Sequence, residues 1–530
     1  MPIRHLTLAI ALALGSVSVP LLIQPAAAAI SMEQEALAST VESRFNNLIK
    51  LNSEYYDLIL GSEAMVERVS HEVTSYERNE SGAKAMTTLT LEFNPVVVKN
   101  GDIPKVITLN LDNDIAYNDD LLSQDVIADI KTTLVTDEAF QQLADIDDED
   151  LNTLKEALEY VDIQSQLLPE GEYTNHIAVK PFNVSEDGET IDFQGLTFDS
   201  SGNEADILYA AGAAHLDVKK LSVVNEYEVD QGEVIDVQRD TLTLEPFTSD
   251  ITLTKDGDLT FAASTLTLAV TDAYEDMLFN IDSITGEGSE VFFDKDIATF
   301  TGKQHYRAEN VSIQDLIYDK AFIANSVDFS YDITKENALY NTESELVVDL
   351  DAESFSSLTQ LPNLQVNTIT FSGTTQRISA DAYQEMNNFG LLAAEDGEEA
   401  FKTALQTLLS DLARTEGALQ IKLGIDTDQG SATFASDVTV KKDAVSDVQA
   451  WKDATEAEGP GLFISLLEKS INFDLKGSVS QDIIDALGLR DMMAMTVGYV
   501  VQEGGTYSIH LESKGDGIKL NGNAIPLPQR

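Results

Sequence analysis

Residues Val327–Ile333 read Val-Asp-Phe-Ser-Tyr-Asp-Ile. Apolar and polar side chains alternate without a break. Val327, Phe329, Tyr331 and Ile333 fall on one face, and Asp328, Ser330 and Asp332 on the other. A strict period of two marks a strand with one buried and one wet face. The pattern recurs in Leu346, Val348 and Leu350, in Leu266, Leu268 and Val270, and in Leu419, Ile421 and Leu423. One wet face is tolerated in antiparallel sheets. The expected fold is therefore β-rich α+β: an extended, mostly antiparallel meander sheet with amphipathic helices packed on it.

Before this stretch, short strands are expected at Ile191–Phe198, His215–Val224, Thr241–Leu244, Ile251–Leu253, Leu259–Phe261 and Thr265–Val270, and the run continues to Phe371. Ser201-Gly202-Asn203 and Lys255-Asp256-Gly257-Asp258 read as turns between them. Spacing of roughly ten residues fits a meander better than βαβ units. Nearer the N terminus, Leu37, Val41, Phe45, Leu48 and Ile49 recur at three and four, which predicts a helix over Ser31–Leu60. His71–Tyr76 and Met86–Phe93 form hairpin arms around residues 79–82, and Val106–Leu111 extends the sheet. From Asp119 to Leu168 the period turns helical, with short helices expected around Glu138–Ala144 and Glu149–Tyr160.

After Phe371, helices are expected at Ser379–Asn388 and Glu398–Leu412. The second carries Phe401, Ala404, Leu405, Leu408, Leu409 and Leu412 in one stripe, suited to packing on a sheet. A hairpin follows, Leu419–Ile425 with Ala432–Val440, then helices at Gly461–Ser470 and Asp482–Leu487. Thr506–Glu512 and Gly517–Leu520 form a closing hairpin. A chain of 530 residues exceeds one ordinary core. The pattern divides it into a signal segment (1–29), a helix, hairpin and helical segment (30–168), the β-meander (169–378) and a helix and β-hairpin region (379–530).

Arg4 precedes the apolar run Leu6–Val19; Pro20 and Pro25 follow, and Ala27-Ala28-Ala29 offers small residues at both cleavage positions. This is the pattern of a signal peptide cleaved after Ala29, which places the chain in the periplasm or outside the cell. The alternative is an uncleaved anchor in the inner membrane over Leu6–Ile23, with the rest facing the periplasm. The alanine run and Pro20 favour cleavage. No later segment is apolar for long enough to span a membrane, so the mature chain is not expected to do so.

The chain has 33 Lys+Arg against 91 Asp+Glu, a net charge of −58, and the acids are spread along its whole length. Such a surface repels nucleic acid, so a nucleic-acid partner is excluded. The chain has no cysteine, which rules out disulfides, cysteine-ligated zinc and thiol catalysis. Asp145, Asp147, Glu149 and Glu156 match positions of an EF-hand loop, but Asp150 stands where the sharp turn requires glycine. The six histidines (His5, His71, His176, His215, His305 and His510) are scattered, and none forms a helical metal-ligand pair. His215 and His510 lie on expected strands. Gly286-Glu287-Gly288 lacks the rest of a phosphate loop and reads as a turn. No hydrolase elbow is present, and Trp451, the sole tryptophan, reads as a helix-packing residue. No catalytic residue, metal ligand or cofactor is expected, and the chain is not expected to be an enzyme.

Val73-Thr-Ser-Tyr76-Glu-Arg78, near one end, and Tyr507-Ser-Ile-His-Leu with Gly517-Ile-Lys-Leu-Asn521-Gly522, near the other, resemble motifs of the YdgA-like bacterial envelope proteins (domain of unknown function 945). Where the family usually continues with glycine, an aromatic and serine after the first motif, Asn79-Glu80-Ser81 stand here. The resemblance implies an envelope location and transfers no catalytic residue. Together with the strands, it suggests non-enzymatic binding or scaffolding of an envelope partner. A carrier of lipid or another apolar ligand in a β-groove is the alternative, and a hydrolase with scattered residues is the second.

The acidic surface leads to one expectation. Self-repulsion at −58 falls as mobile ions shorten the Debye length to about 3 Å at ~1 M salt. Thermal melts should shift upward as NaCl is added, and KCl should act alike. Calcium at matched ionic strength should add nothing further. A flat salt response would mean that the acids are already paired.

Overall fold

The computed structural model describes residues 34–60, 66–79, 81–93, 105–135, 160–186, 188–230, 235–272, 276–318, 320–351, 364–384, 386, 407–408, 410–442, 444, 450, 461–494, 496, 498–514 and 517–525. The N-terminal apolar segment, the EF-hand-like stretch, the two short helices expected around residues 138–159 and Trp451 lie outside these residues. The fold is β-rich α+β, and its sheet is antiparallel and open. Two compact units divide the chain: Met1–Asp276 with Ser283–Phe300, and Met277–Asp282 with Thr301–Arg530.

Unit 1 begins with helix α1 (Gln34–Leu60). Strands follow in the order β1 (Val66–Arg78), β2 (Gly82–Phe93), β3 (Val106–Ala116), β4 (Ala128–Val135), β5 (Val161–Leu167) and β6 (Glu172–Val179). Each pairs with the next. Strands β4 and β5 correct the helical reading of Asp119–Leu168. Within it, only the single turn Asp119–Leu122 is a described α-helix. Ala128, Ile130, Ile163 and Leu167 are buried at intervals of two and four, a spacing that a short segment shares between helix and strand.

The apolar stripe of α1 explains its position. Leu37, Val41, Phe45, Leu48 and Ile49 enter one core with Ala83, Ala85, Ile115, Ile130, Tyr173 and Ile207. The polar side of the same helix covers the rim of β1. The backbone N–H of Val69 donates to Asp57 Oδ1 at 3.0 Å, and that of His71 to Ser53 Oγ at 2.9 Å. An uncovered rim of N–H groups would invite another strand, so this helix also protects the sheet.

After β6 the connection departs from a simple meander. Strands β7 (Phe182–Glu186), β8 (Glu189–Phe193), β9 (Leu196–Asn203), β10 (Gly212–Val218), β11 (Leu221–Asp230), β12 (Ile235–Leu244), β13 (Phe247–Leu253), β14 (Leu259–Ala263) and β15 (Leu266–Thr271) come next. They are followed by β16 (Asp276–Ile281) and β17 (Ser283–Asp294). One ladder runs β6-β9-β10-β13-β14-β17, and a second runs β7-β8-β11-β12-β15. The chain crosses between ladders in two-residue steps: Lys180-Pro181, Gln194-Gly195, Lys219-Lys220, Glu245-Pro246 and Ser264-Thr265. Prolines suit such steps because they have no N–H to leave unpaired. Gly195 is required at its step. Its φ is +104°, and a Cβ there would meet the Val179 carbonyl oxygen at 2.9 Å. Side chains flanking the steps, Val179, Phe182, Phe193, Leu196 and Val218, share one core.

These steps correct two expected strands. Ile191–Phe198 is two strands, and so is His215–Val224. Ser201-Gly202-Asn203 is not a turn but the end of β9.

Unit 2 is a true meander. Strands β18 (Thr299–Asp315), β19 (Lys320–Glu336), β20 (Leu339–Leu350), β21 (Val366–Ile378), β22 (Ala418–Thr427) and β23 (Gly430–Val440) pair in succession. Helix α2 (Gly461–Ser470) leads into β24 (Ile471–Ser480), which pairs with β23. A short strand β25 (Val501–Glu503) precedes β26 (Thr506–Ser513), which pairs with β24, and β27 (Ile518–Leu520) closes the C-terminal hairpin with β26. Strand β16 pairs with β18. Residues 380–384 and 410–415 are helical, as expected. Of the apolar stripe expected at Glu398–Leu412, Leu408 and Leu412 are described and half-buried; the other four lie outside the described residues.

The covered rim of β1 is open to test. Asp57→Ala and Ser53→Ala each leave a part-buried N–H without its acceptor, a loss of about 1–3 kcal/mol. Urea unfolding should show both variants destabilised and the double variant more so. Unchanged midpoints would mean that solvent replaces the helix at this rim.

Candidate functional site

Register across unit 2 assembles a feature that no single strand contains. Tyr306, Phe329, Leu346, Phe371, Leu423, Phe434, Gly477 and Ile509 are successive cross-strand partners on eight adjacent strands. The next row on the same face is Ala308, Val327, Val348, Ile369, Ile425, Ala432, Val479 and Tyr507. No charged side chain enters either row. Phe329, Phe371, Leu423, Phe434 and Ile509 are nevertheless 38–44% exposed.

Along the strands, this band is bounded at both ends by buried side chains. One end holds Ala324, Leu350 and Val366 in a core of their own. The other holds Ile333, Tyr340, Ile378, Val440 and Phe473, with Ala382 and Ala413 of the helical segments. The opposite face of the same strands is polar. Arg307 pairs with Asp328 at 3.0 Å, and Glu345, Lys422 and Lys476 project from the same side. At about 4.8 Å per strand, the band from β19 to β26 runs roughly 29 Å. A half-exposed apolar surface of that extent is the kind at which proteins meet partners, membranes or apolar ligands.

The histidines are placed otherwise. His176, His215, His305 and His510 sit on strands, each beside an aspartate of a neighbouring strand. His176 Nδ1 lies 2.6 Å from Asp199 Oδ1 and His215 Nδ1 2.8 Å from Asp250 Oδ1. His176, Asp199, His215 and Asp250 form one cross-strand row on the wet face of unit 1. His305 Nε2 is 3.5 Å from Asp328.

His510 belongs to the one group with metal-ligand proximity among the described residues: Asp474, His510 and Glu512, whose ligand atoms lie within 4.8 Å of one another. Lysines already occupy both carboxylates. Lys476 is 3.1 Å from Asp474, and Lys514 is 2.8 Å from Glu512 and 3.6 Å from Asp474. Burial acts to raise the Asp474 carboxyl, but hydrogen bonds from Lys476 and His510 outweigh it and hold it low. The Lys514 hydrogen bond likewise holds Glu512 low. A metal ion would have to displace two ammonium groups. The arrangement is better suited to relieving the like charges of Asp437, Asp474 and Glu512, which are direct cross-strand neighbours.

Gly286-Glu287-Gly288 is not a turn: it lies within β17 and pairs with β14. The band went unrecognised in the sequence because Phe371, Phe434 and Ile509 lie far apart along the chain. The phase of alternation within each strand is the signal that could have aligned them.

Among the described histidines, His71 alone is buried, at 6% exposure, and neither of its ring nitrogens has a partner among the described residues. Burial lowers its pKa to about 4. The folded value lies below the unfolded one, near 6.5, so the unfolded chain takes up the proton first as pH falls. The stability of the neutral site is complete above about pH 6.5 and is lost progressively toward pH 4, to a total of about 3 kcal/mol. Urea unfolding of wild type and His71→Gln at pH 7 and pH 4.5 should show a smaller pH-dependent loss in the variant. Equal losses would contradict the buried neutral state.

A model of a bacterial family, "Bacterial protein of unknown function (DUF945)", matches residues 122–528. No curated protein and no solved structure matches the chain.

Proposed function

Because the chain belongs to the bacterial DUF945 family, whose function is unknown, descent assigns it no activity, and we propose from its geometry a non-enzymatic carrier of lipid or another apolar ligand in the bacterial envelope. The observation that carries this reading is the half-exposed apolar band across unit 2. Its aromatic and branched side chains offer dispersion contacts without hydrogen-bond partners, which suits a hydrocarbon chain and gives no means of activating a nucleophile. The length is also suitable. A band of roughly 29 Å exceeds the hydrocarbon of one membrane leaflet, about 15 Å, so an extended acyl chain fits along it. The export segment read in the sequence supports an envelope location. Among the described residues, no helix is long and apolar enough to cross a membrane. Scaffolding of a protein partner is the broader form of non-enzymatic binding, and the continuity of the apolar rows favours the narrower one.

Titration with a fluorescent fatty acid tests the proposal. Phe371→Asp and Phe434→Asp each set a charge in the band and should weaken binding at least about tenfold, or 1.4 kcal/mol. Ser372→Asp, on the polar face, should bind as wild type does. Native mass spectrometry of gently purified protein should show co-purifying lipid. A clean protein mass with no probe binding would sink the carrier.

A further inference from the structure

Three successive large apolar side chains stand at the turn joining β18 to β19. Leu316 is 52%, Ile317 49% and Tyr318 69% exposed. The turn is held rather than loose. The Asp315 carboxylate accepts the backbone N–H of Ile317 at 3.1 Å and of Tyr318 at 3.0 Å. Two amides that would otherwise need water are thereby satisfied, a requirement for contact with hydrocarbon. Below the turn, the apolar face continues without interruption: Ile313 pairs with Phe322, Val311 with Ala324, Ala308 with Val327 and Tyr306 with Phe329. Val311, Phe322, Ala324 and Val327 pack in one cluster, so the column reaches the band on the same side of the sheet.

We propose that this hairpin tip docks unit 2 on a lipid membrane surface. Docking does not depend on the carrier reading. Size favours a membrane over a protein partner. At the exposures above, three such side chains offer roughly 300 Å², against about 800 Å² per partner in a stable protein interface. The composition agrees. Leucine and isoleucine enter hydrocarbon, tyrosine is enriched at the membrane–water boundary, and the oppositely charged Asp319 and Lys320 that come next in the sequence suit zwitterionic headgroups. With a chain charge of −58, the surface is a zwitterionic one, because anionic headgroups would repel the rest of the molecule.

Co-sedimentation of the full chain with phosphatidylcholine vesicles is the test. Wild type should sediment, and the triple variant Leu316→Asp, Ile317→Asp, Tyr318→Asp should do so roughly tenfold less or weaker still. Tyr209→Ser, which alters an exposed tyrosine of unit 1, should behave as wild type. The triple variant should still bind free fluorescent fatty acid. Phe371→Asp should show the converse, sedimenting normally without binding the probe, and that separates failure of the carrier from failure of docking. A second readout does not depend on the aspartates folding. Tyr318→Trp in a Trp451→Phe background carries one tryptophan, whose emission should shift to the blue on adding vesicles. Docking is overturned if wild type stays in solution, if the triple variant sediments equally, if the tryptophan emission does not move, or if the tip crosslinks to a protein while ignoring vesicles.

Discussion

A one-residue slip in any pairing between β18 and β26 would turn Phe329, Leu346, Phe371, Leu423 or Phe434 toward water and bring Asp328 or Glu345 into the apolar rows. Every strand of unit 2 is therefore fixed by its neighbours, and the band exists only while all the registers hold. Where the pattern changes phase, the backbone changes with it. Asn310, at φ 50°, lies at the level of Asn325, where β19 carries one residue more than β20. Asparagine tolerates that left-handed conformation better than most residues. The irregularity keeps Val311 and Ala324 on the same side as Val327, so the apolar column passes the bulge intact.

How much of this is legible in the sequence depends on distance along the chain. Strict alternation at Val327–Ile333 identifies both the strand and the side that becomes the band, and the hairpins at residues 418–440 and 506–520 are readable for the same reason. The two-residue crossings are hidden because inward residues continue across them at nearly the same rhythm. The trace they leave is a change of parity. Phe193 and Leu196 are both buried three apart, as are Val218 and Leu221 with its half-buried side chain. A straight strand cannot put both members of such a pair on one face. The stretch from Asp119 to Leu168 misleads for another reason: a few apolar residues spaced at two and four satisfy either period, and the pairing of β4 with β3 and β5 decides. The band is the least legible feature, since its rows arise from eight strands spread over more than two hundred residues.

The acids are also ordered by register. Across unit 1, Glu77, Lys84, Asp114 and Lys131 are successive partners, and farther along the same row come His176, Asp199, His215 and Asp250. Lys84 is thus set between Glu77 and Asp114 and His215 between Asp199 and Asp250, while Lys131 and His176 each have one carboxylate neighbour and Gln164 on the other side. Lys84 and Asp114 approach to 3.2 Å. Exposed pairs of this kind add little stability one by one. Their larger effect is to keep a strongly acidic chain from repelling itself along a single row, and the lysines at Asp474 and Glu512 do the same in unit 2.

These two orderings separate the faces by chemistry and not only by polarity. On the wet side, His176, His215, His305 and His510 each stand beside an aspartate of a neighbouring strand. Within the two rows of the band, the side chains carry no polar group beyond the hydroxyls of Tyr306 and Tyr507 at the row ends. The apolar band of unit 2 is half-exposed along its length. It meets the requirement for holding a flexible hydrocarbon: a long surface, uniform along its length, with affinity that grows with contact area and little dependence on where along the band the ligand lies.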